Sequence, residues 1–385
     1  MFIYLLIYIP LLLSSWYDFD GKTSLKKKKQ VMMFFVIIFT LFRGLRWNIG
    51  TDWLQFLNVY ENAYFENIFN YVRYHDMIMD YGYMFINAVF HELGFPYTVF
   101  LLATNLLIML CSYDFSLRHT KYPILTFILL LNVGLPFPVR QQIALAIAIW
   151  GFRFLAERKW WKLFIILTIS FFIHKATIVA FFAMGVPYVL SKYEVKWWVY
   201  ALVYLSTFVI SIILADILKD FISLVTGQSE YLNQYSEGYI HRRGNEEGGA
   251  SSRSSLQGLS YMIFFAVLLY VREKGRNLCN KNIKDFEVFF FMYALTETVN
   301  NMIRNIESGG FTEILHRSMT TLDLFPLIFP MFFIYLLSKV RNREIICMMF
   351  ILYMGYKFYL QIFASPFTYR FIPYQSIFDL VPGME

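Results

Sequence analysis

The sequence predicts an all-α integral membrane protein, one polytopic domain over residues 1–385 with about twelve transmembrane helices. Three observations predict it. Hydrophobic residues make up 58% of the 385 and charged residues 16%, with a mean hydropathy of +0.50. Soluble domains carry about 45–50% apolar and about 25% charged residues. Apolar runs at 31–45, 99–117, 197–215, 256–271 and 345–363 approach or exceed the ~20 residues that a helix needs to cross a bilayer. These runs lack the period-2 alternation of a membrane barrel, and a helix satisfies its own backbone groups in lipid.

The first run, 1–16, has neither a basic start nor a small-residue cleavage site, so it reads as a retained helix rather than a signal peptide. Later spans are ordered by charge. Lys and Arg in short loops mark the cytoplasmic side. The clusters are Lys26 to Lys29, Arg118 to Lys121, Lys159 with Lys162, Lys192 to Lys196, Arg272 to Arg276 with Lys281 and Lys284, and Lys339 to Arg343. Placing all of them inside puts both termini outside. The implied crossings are 1–16, 30–45, 97–117, 122–136, 139–156, 160–173, 175–190, 197–215, 256–271, 285–303, 315–338 and 344–363.

The apolar segment 82–93 is too short to be a thirteenth crossing. It reads as a re-entrant or surface helix on the outer face, broken at Gly94 and Pro96. Two outer loops remain, about 46–81 and 216–255. The first is aromatic and carries Asp52, Glu61, Glu66, Asp76 and Asp80; the second ends in a Gly- and Ser-rich stretch. Trp160, Trp161, Trp197 and Trp198 suit the headgroup level. The cysteines Cys111, Cys279 and Cys347 show no metal spacing and read as free thiols. The net charge of +7 is accounted for by topology, with no call for nucleic acid.

Function is sought in the charges that orientation leaves over. Arg43, Arg46, Arg140, His174 with Lys175, Arg304, and His316 with Arg317 fall at the outer ends of helices. Ionisable groups beside a span are expensive, and they face a cavity, a substrate or one another. Arginines converging on one face suit a pyrophosphate, because guanidinium binds phosphate oxygens bidentately and stays charged. Arg43 and Arg46 could equally snorkel to the interface. Arg140 opens a helix against its dipole, which calls for a ligand or an acid partner. His174 sits at a helix break, where a structural hydrogen bond or a functional role would each place it. Arg242, Arg243 and Arg253 read as solvated.

Asp52 either caps a helix beginning near Trp53 or serves as a base or sugar-hydroxyl acceptor. Glu297 falls inside a span and needs a partner, with Arg304 a candidate. There is no P-loop, GxGxxG, HExxH or GxSxG, and no paired acids of a metal-dependent transferase stand in an outer loop. A nucleotide-driven pump is therefore disfavoured, and neither metal nor cofactor is called for.

The run Arg43-Gly44-Leu45-Arg46-Trp47-Asn48-Ile49-Gly50-Thr51-Asp52-Trp53 resembles the signature after the second helix of the EpsG family, with Trp53 where Tyr is usual. Asp80-Tyr81-Gly82-Tyr83-Met84-Phe85-Ile86-Asn87, Arg140-Gln141-Gln142-Ile143-Ala144 and Phe172-Ile173-His174-Lys175-Ala176 are similar to three further blocks, in the family's order. Tyr369-Arg370-Phe371-Ile372-Pro373-Tyr374 resembles the family's carboxyl end.

The resemblance implies a Wzy-type polymerase of capsule, exopolysaccharide or O-antigen, with an architecture similar to the C-type membrane glycosyltransferases. Donor and acceptor would be glycans carried on undecaprenyl pyrophosphate at the outer face of the bacterial cytoplasmic membrane. A flippase and a chain-length regulator would be associated proteins. Arg46, Arg140 and Arg317 would hold the pyrophosphate, with Arg43, Gln141 and His316 in support. His174 or Asp52 would act as base; His174 is preferred because imidazole titrates near neutrality. Two other classes stay open: a transporter of lipid-linked units, and an integral-membrane acyltransferase acting on glycans.

Overall fold

The computed structural model describes residues 2–50, 52–69, 79–131, 139–178, 181, 184–185, 195–207, 210, 255–275, 283–304, 337, 342–363 and 368–379. The described residues are helical, without a strand. The α-helices are α1 (Phe2–Ser14), α2 (Trp16–Phe19), α3 (Leu25–Gly44), α4 (Trp53–Glu61), α5 (Tyr81–Glu92) and α6 (Tyr97–His119). They continue with α7 (Pro123–Leu131), α8 (Arg140–Ala156), α9 (Trp160–Ile173), α10 (Ser255–Gly275), α11 (Ile283–Arg304) and α12 (Arg343–Ile362). Residues 197–207 are helical as well. Apart from residue 337, the expected crossing 315–338 lies outside the described residues, as do nine of the sixteen residues 175–190 and the loop 216–254.

Phe2–Phe19, Tyr97–His119 and Arg343–Ile362 are long and apolar enough to cross a membrane, and Trp160–Ile173 is a shorter apolar helix. The 23 residues of α6 rise about 34 Å, enough for a ~30 Å hydrocarbon core. Its polar residues are made compatible with lipid by bonding back onto the helix. Thr104 donates to the carbonyl of Phe100, Asn105 to Leu101, Ser112 to Ile108 and Ser116 to Ser112, at 2.7–2.9 Å.

The chain divides into two units. Unit 1 comprises Met1–Val72, Met79–Thr177 and Phe329–Glu385; unit 2 comprises Arg73–Ile78 and Ile178–Ile328. In unit 1, α8 packs most closely on α9, and α6 lies against both α3 and α8. Small residues allow the approach, as the Ala-rich face of α8 does toward α9. There Ser170 donates to the Ala144 carbonyl at 2.7 Å. A Cβ on Gly44 would come within 2.9 Å of the Leu102 Cα, so α3 can meet α6 there only with glycine. In unit 2, the buried Arg272 is paired with Glu287 at 2.9 Å and with Glu273 at 2.7 Å. Asn301 of α11 donates to Thr207 at 2.8 Å.

The contacts of unit 1 give its helices a common polarity. Asp18 pairs with Lys28 at 2.8 Å and accepts the Leu125 backbone N–H at 2.8 Å. That gathers the start of α3 and the start of α7, which Pro123 opens as proline does best. Arg153 of α8 meets Asp114 of α6 at 3.6 Å. Lys26 to Lys29, Arg118 and Arg153 therefore share one end of unit 1. At the other end, Arg43 closes α3 beside the last residue of α7 and the first turn of α8. Within unit 1, the expected basic clusters Lys26 to Lys29 and Arg118 to Lys121 share one end, and Arg43, Arg46, Arg140 and His174 stand at the other.

Segment 82–93 forms a short helix, α5, and its turn falls at Gly94, with φ +75°. Segment 46–81 carries α4 and a 3-10 turn at Phe65–Asn67, and hydrogen bonds and ring contacts tie it to α5. His91 meets the Ala63 carbonyl at 3.0 Å, and Glu92 accepts the Phe65 N–H at 2.5 Å.

Candidate active site

Two groups of charged side chains converge at the end of unit 1 away from the lysines. The first is carried by the end of α3 and the turn after it. Arg43 is 1% exposed and donates to Gln142 Oε1 at 3.3 Å and to the Leu131 carbonyl at 3.0 Å, with its Nε unmatched. Neutral acceptors repay only part of the cost of burying a guanidinium. Arg46 is 2% exposed, donates to the Arg43 carbonyl at 3.1 Å and lies 5.7 Å from the face of the Trp53 ring.

The second group joins three elements. Asp80 stands at the position before α5 where an aspartate ordinarily caps the helix, yet its side chain makes no cap bond. Its Oδ2 lies instead 3.4 Å from Arg140 Nη1, at the first residue of α8, and 3.4 Å from His174 Nδ1, just past α9. The start of α8 is unfavourable for a cation by about 0.3–1 kcal/mol, and the carboxylate answers it. Asp80 is itself favoured by the amino end of α5. Arg140 also points at Met79 Sδ at 3.5 Å.

Glycine makes this meeting possible. A Cβ on Gly82 would fall 2.7 Å from the carbonyl carbon of Phe172 and 2.8 Å from its oxygen. Backbone thus lies on backbone where α5 crosses the end of α9, which brings Asp80 within reach of His174. Lys175 adds a cation 5.9 Å from the Tyr81 ring.

Between the groups stands Tyr83, fully buried on α5 and within electrostatic range of both Arg46 and Arg140. Among the described residues, the hydroxyl of Tyr97, also buried, has no hydrogen-bond partner. The rings of Trp53, Tyr97, Phe100 and Tyr83 follow one another at 5.2–6.2 Å, so an aromatic wall runs from Arg46 toward the second group.

A sequence model described as the EpsG family matches residues 29–376. The chain belongs to the EpsG family. The match spans every block on which the resemblance was drawn, from Arg43 to Tyr374. No curated protein and no solved structure matches it.

For this EpsG-family chain, the remaining expected residues are placed as follows. Asp52 is exposed at the head of α4 and makes no cap bond with its side chain. Gln141 is half-buried in the first turn of α8. Glu297 is half-buried on α11, while the side chain of its suggested partner Arg304 lies outside the described residues. His316, Arg317, Arg242, Arg243 and Arg253 also lie outside them. Cys111 and Cys347 are free and buried. Among the described residues, no three His, Cys, Asp or Glu side chains gather as a metal site.

Sequence reasoning had not chosen Asp80 or Tyr83 as site residues. Both sit in the Asp80-Tyr81-Gly82-Tyr83 run, and an acid directly before a short helix that opens with Tyr-Gly-Tyr was the available signal.

Proposed function

We propose that the chain is a Wzy-type polymerase. It would join oligosaccharide repeat units carried on undecaprenyl pyrophosphate, for capsule, exopolysaccharide or O-antigen. The observation that carries this reading is the meeting of Asp80, His174 and Arg140 beside Arg43 and Arg46, opposite the lysine-rich end of unit 1. The positive-inside rule puts the lysines in the cytoplasm and the site at the outer face of the cytoplasmic membrane. Twelve crossings and a C-type glycosyltransferase architecture belong to the same reading.

The reaction forms a bond between an acceptor sugar hydroxyl and the anomeric carbon of the donor. The bond from that carbon to the pyrophosphate oxygen breaks, and its electron pair leaves on undecaprenyl pyrophosphate. His174 presents Nδ1 to Asp80 Oδ2. A carboxylate there holds the proton on Nδ1 and leaves Nε2 to take the proton of the attacking hydroxyl. Substrate binding would tighten the 3.4 Å spacing between His174 and Asp80. Arg46 and Arg140 hold the leaving pyrophosphate and stabilise its growing charge. Arg317 joins them on sequence grounds, with Arg43, Gln141 and His316 in support. Asp52, on the exposed turn, takes a sugar hydroxyl rather than the proton.

Purified protein in liposomes, given a lipid-linked repeat unit, lengthens it. An acyltransferase would modify the unit only with an acyl donor, and a transporter would leave it chemically intact. Either of those outcomes sinks the reading.

A further inference from the structure

The turn 45–50 has no helical or sheet ladder of its own. Asn48 and Gly50 both have positive φ, 49° and 111°. A turn built this way would swing about the end of α3, yet Arg46 within it is held buried. Its placement comes from the carboxy-terminal segment 368–379. Trp47 N–H donates to the Gln375 carbonyl at 3.0 Å, Ile377 N–H to Leu45 at 3.0 Å, and Gly50 N–H to Arg370 at 3.1 Å. Arg46 itself forms an antiparallel bridge with Ser376.

The segment is pinned from its other side. The Tyr374 ring stacks on Phe42 at 4.8 Å and 15°, and its hydroxyl donates to the Phe42 carbonyl at 2.6 Å. Phe42 lies in the last turn of α3, where carbonyls lack an intrahelical donor. Tyr4, fully buried on α1, donates to the Phe371 carbonyl at 2.7 Å.

We propose that residues 368–379 are a strap that positions Arg46 for the pyrophosphate, with Tyr374 as its principal positioning residue. The inference rests on the assignment of Arg46 to that ligand. Tyr374 acts through Arg46: it fixes α3's last turn and the segment that in turn fixes the arginine's backbone.

The test is binding of undecaprenyl pyrophosphate to the full chain in detergent, together with KM for a lipid-linked unit. Arg46→Ala weakens binding roughly a hundred-fold, and Tyr374→Ala weakens it roughly ten-fold. The double variant is no weaker than Arg46→Ala alone, as expected of one residue acting through another. Tyr374→Phe keeps the stack on Phe42 and recovers part of the affinity, and kcat/KM falls in Tyr374→Ala and is partly restored in Tyr374→Phe.

Ile377→Pro removes the N–H that reaches Leu45 without touching Tyr374, at the first residue of a 3-10 turn where proline fits. It gives a loss of the same sign should Tyr374→Ala fail to fold. Wild-type affinity in Ile377→Pro and Tyr374→Ala, or strictly additive losses in the double variant, overturns the strap alone. Insensitivity of binding to Arg46→Ala overturns the pyrophosphate assignment, and the strap's role with it.

Discussion

Each end of unit 1 buries an aspartate, and the two are used differently. Asp18 takes one ion pair and one backbone bond: Lys28 at 2.8 Å on one oxygen and the Leu125 N–H at 2.8 Å on the other. Its contacts are short, and they tie the start of α3 to the start of α7. Asp80 declines the cap that its position offers and instead reaches Arg140 and His174, both at 3.4 Å. One acid closes a joint. The other gathers a cation and an imidazole loosely, at the end where Arg43 and Arg46 are buried without a carboxylate beside Arg43 among the described residues. Under the proposed function, the difference would be one between structural and chemical use of the same residue type.

The largest effects belong to the loose end. Arg140→Ala and His174→Ala should each lower polymer formation by at least 10²-fold, leaving single lipid-linked units, as expected when a charge stabiliser or a base is lost. Polymer length on gels checks this; wild-type ladders in either variant would refute the assignment. Next comes Gly82→Ala. The added carbon must push α5 off the Phe172 backbone, at a cost of about 1–3 kcal/mol. The expected outcome is a protein that still inserts, with polymer much reduced because Asp80 and His174 have parted. Normal polymer from Gly82→Ala would mean that their approach is unimportant.

Much of this arrangement was legible in the sequence, and the split is physical. The helices and their common polarity could be read because hydropathy and loop charge are local properties. Arg140 drew attention through the dipole of its own helix, and the acid it called for exists. The identity of that acid could not be read. Asp80 lies on another helix, while Asp52 stood nearer the arginines in sequence and is exposed. Gln142 and Leu131, which hold Arg43, were equally beyond reach, because pairings between distant helices leave no periodic trace. Segment 82–93 was recognised as too short to cross, but its lack of length hid its role. It is the element that delivers Asp80 and Tyr83.

The closed end predicts a different phenotype. Lys28→Ala leaves Asp18 buried without its cation, which costs about 3–5 kcal/mol in such pairs. Folded yield and thermal stability in detergent should fall, while the protein that remains folded polymerises at the normal specific rate. A specific rate reduced in step with Arg140→Ala would erase the distinction between the two ends.

The smallest effect is the most diagnostic of the Asp80–His174 pair. His174 lies past the last residue of α9, outside that helix. Burial holds its imidazole below the usual 6.5; Asp80 opposes this by hydrogen bond and charge, and Arg140 adds to the lowering. A base works in its neutral form, so polymerisation should be full at pH 7 and fall only as pH drops through a value below 6.5. Asp80→Asn removes the influence that favours the proton. The acid limb should therefore move to still lower pH, while the plateau rate drops several-fold because the imidazolium formed in the reaction loses its carboxylate. Rates of lengthening across pH 5–8 measure both. An acid limb that stays put, or moves upward, would place the titrating group elsewhere and leave Asp80 as a partner of Arg140 alone.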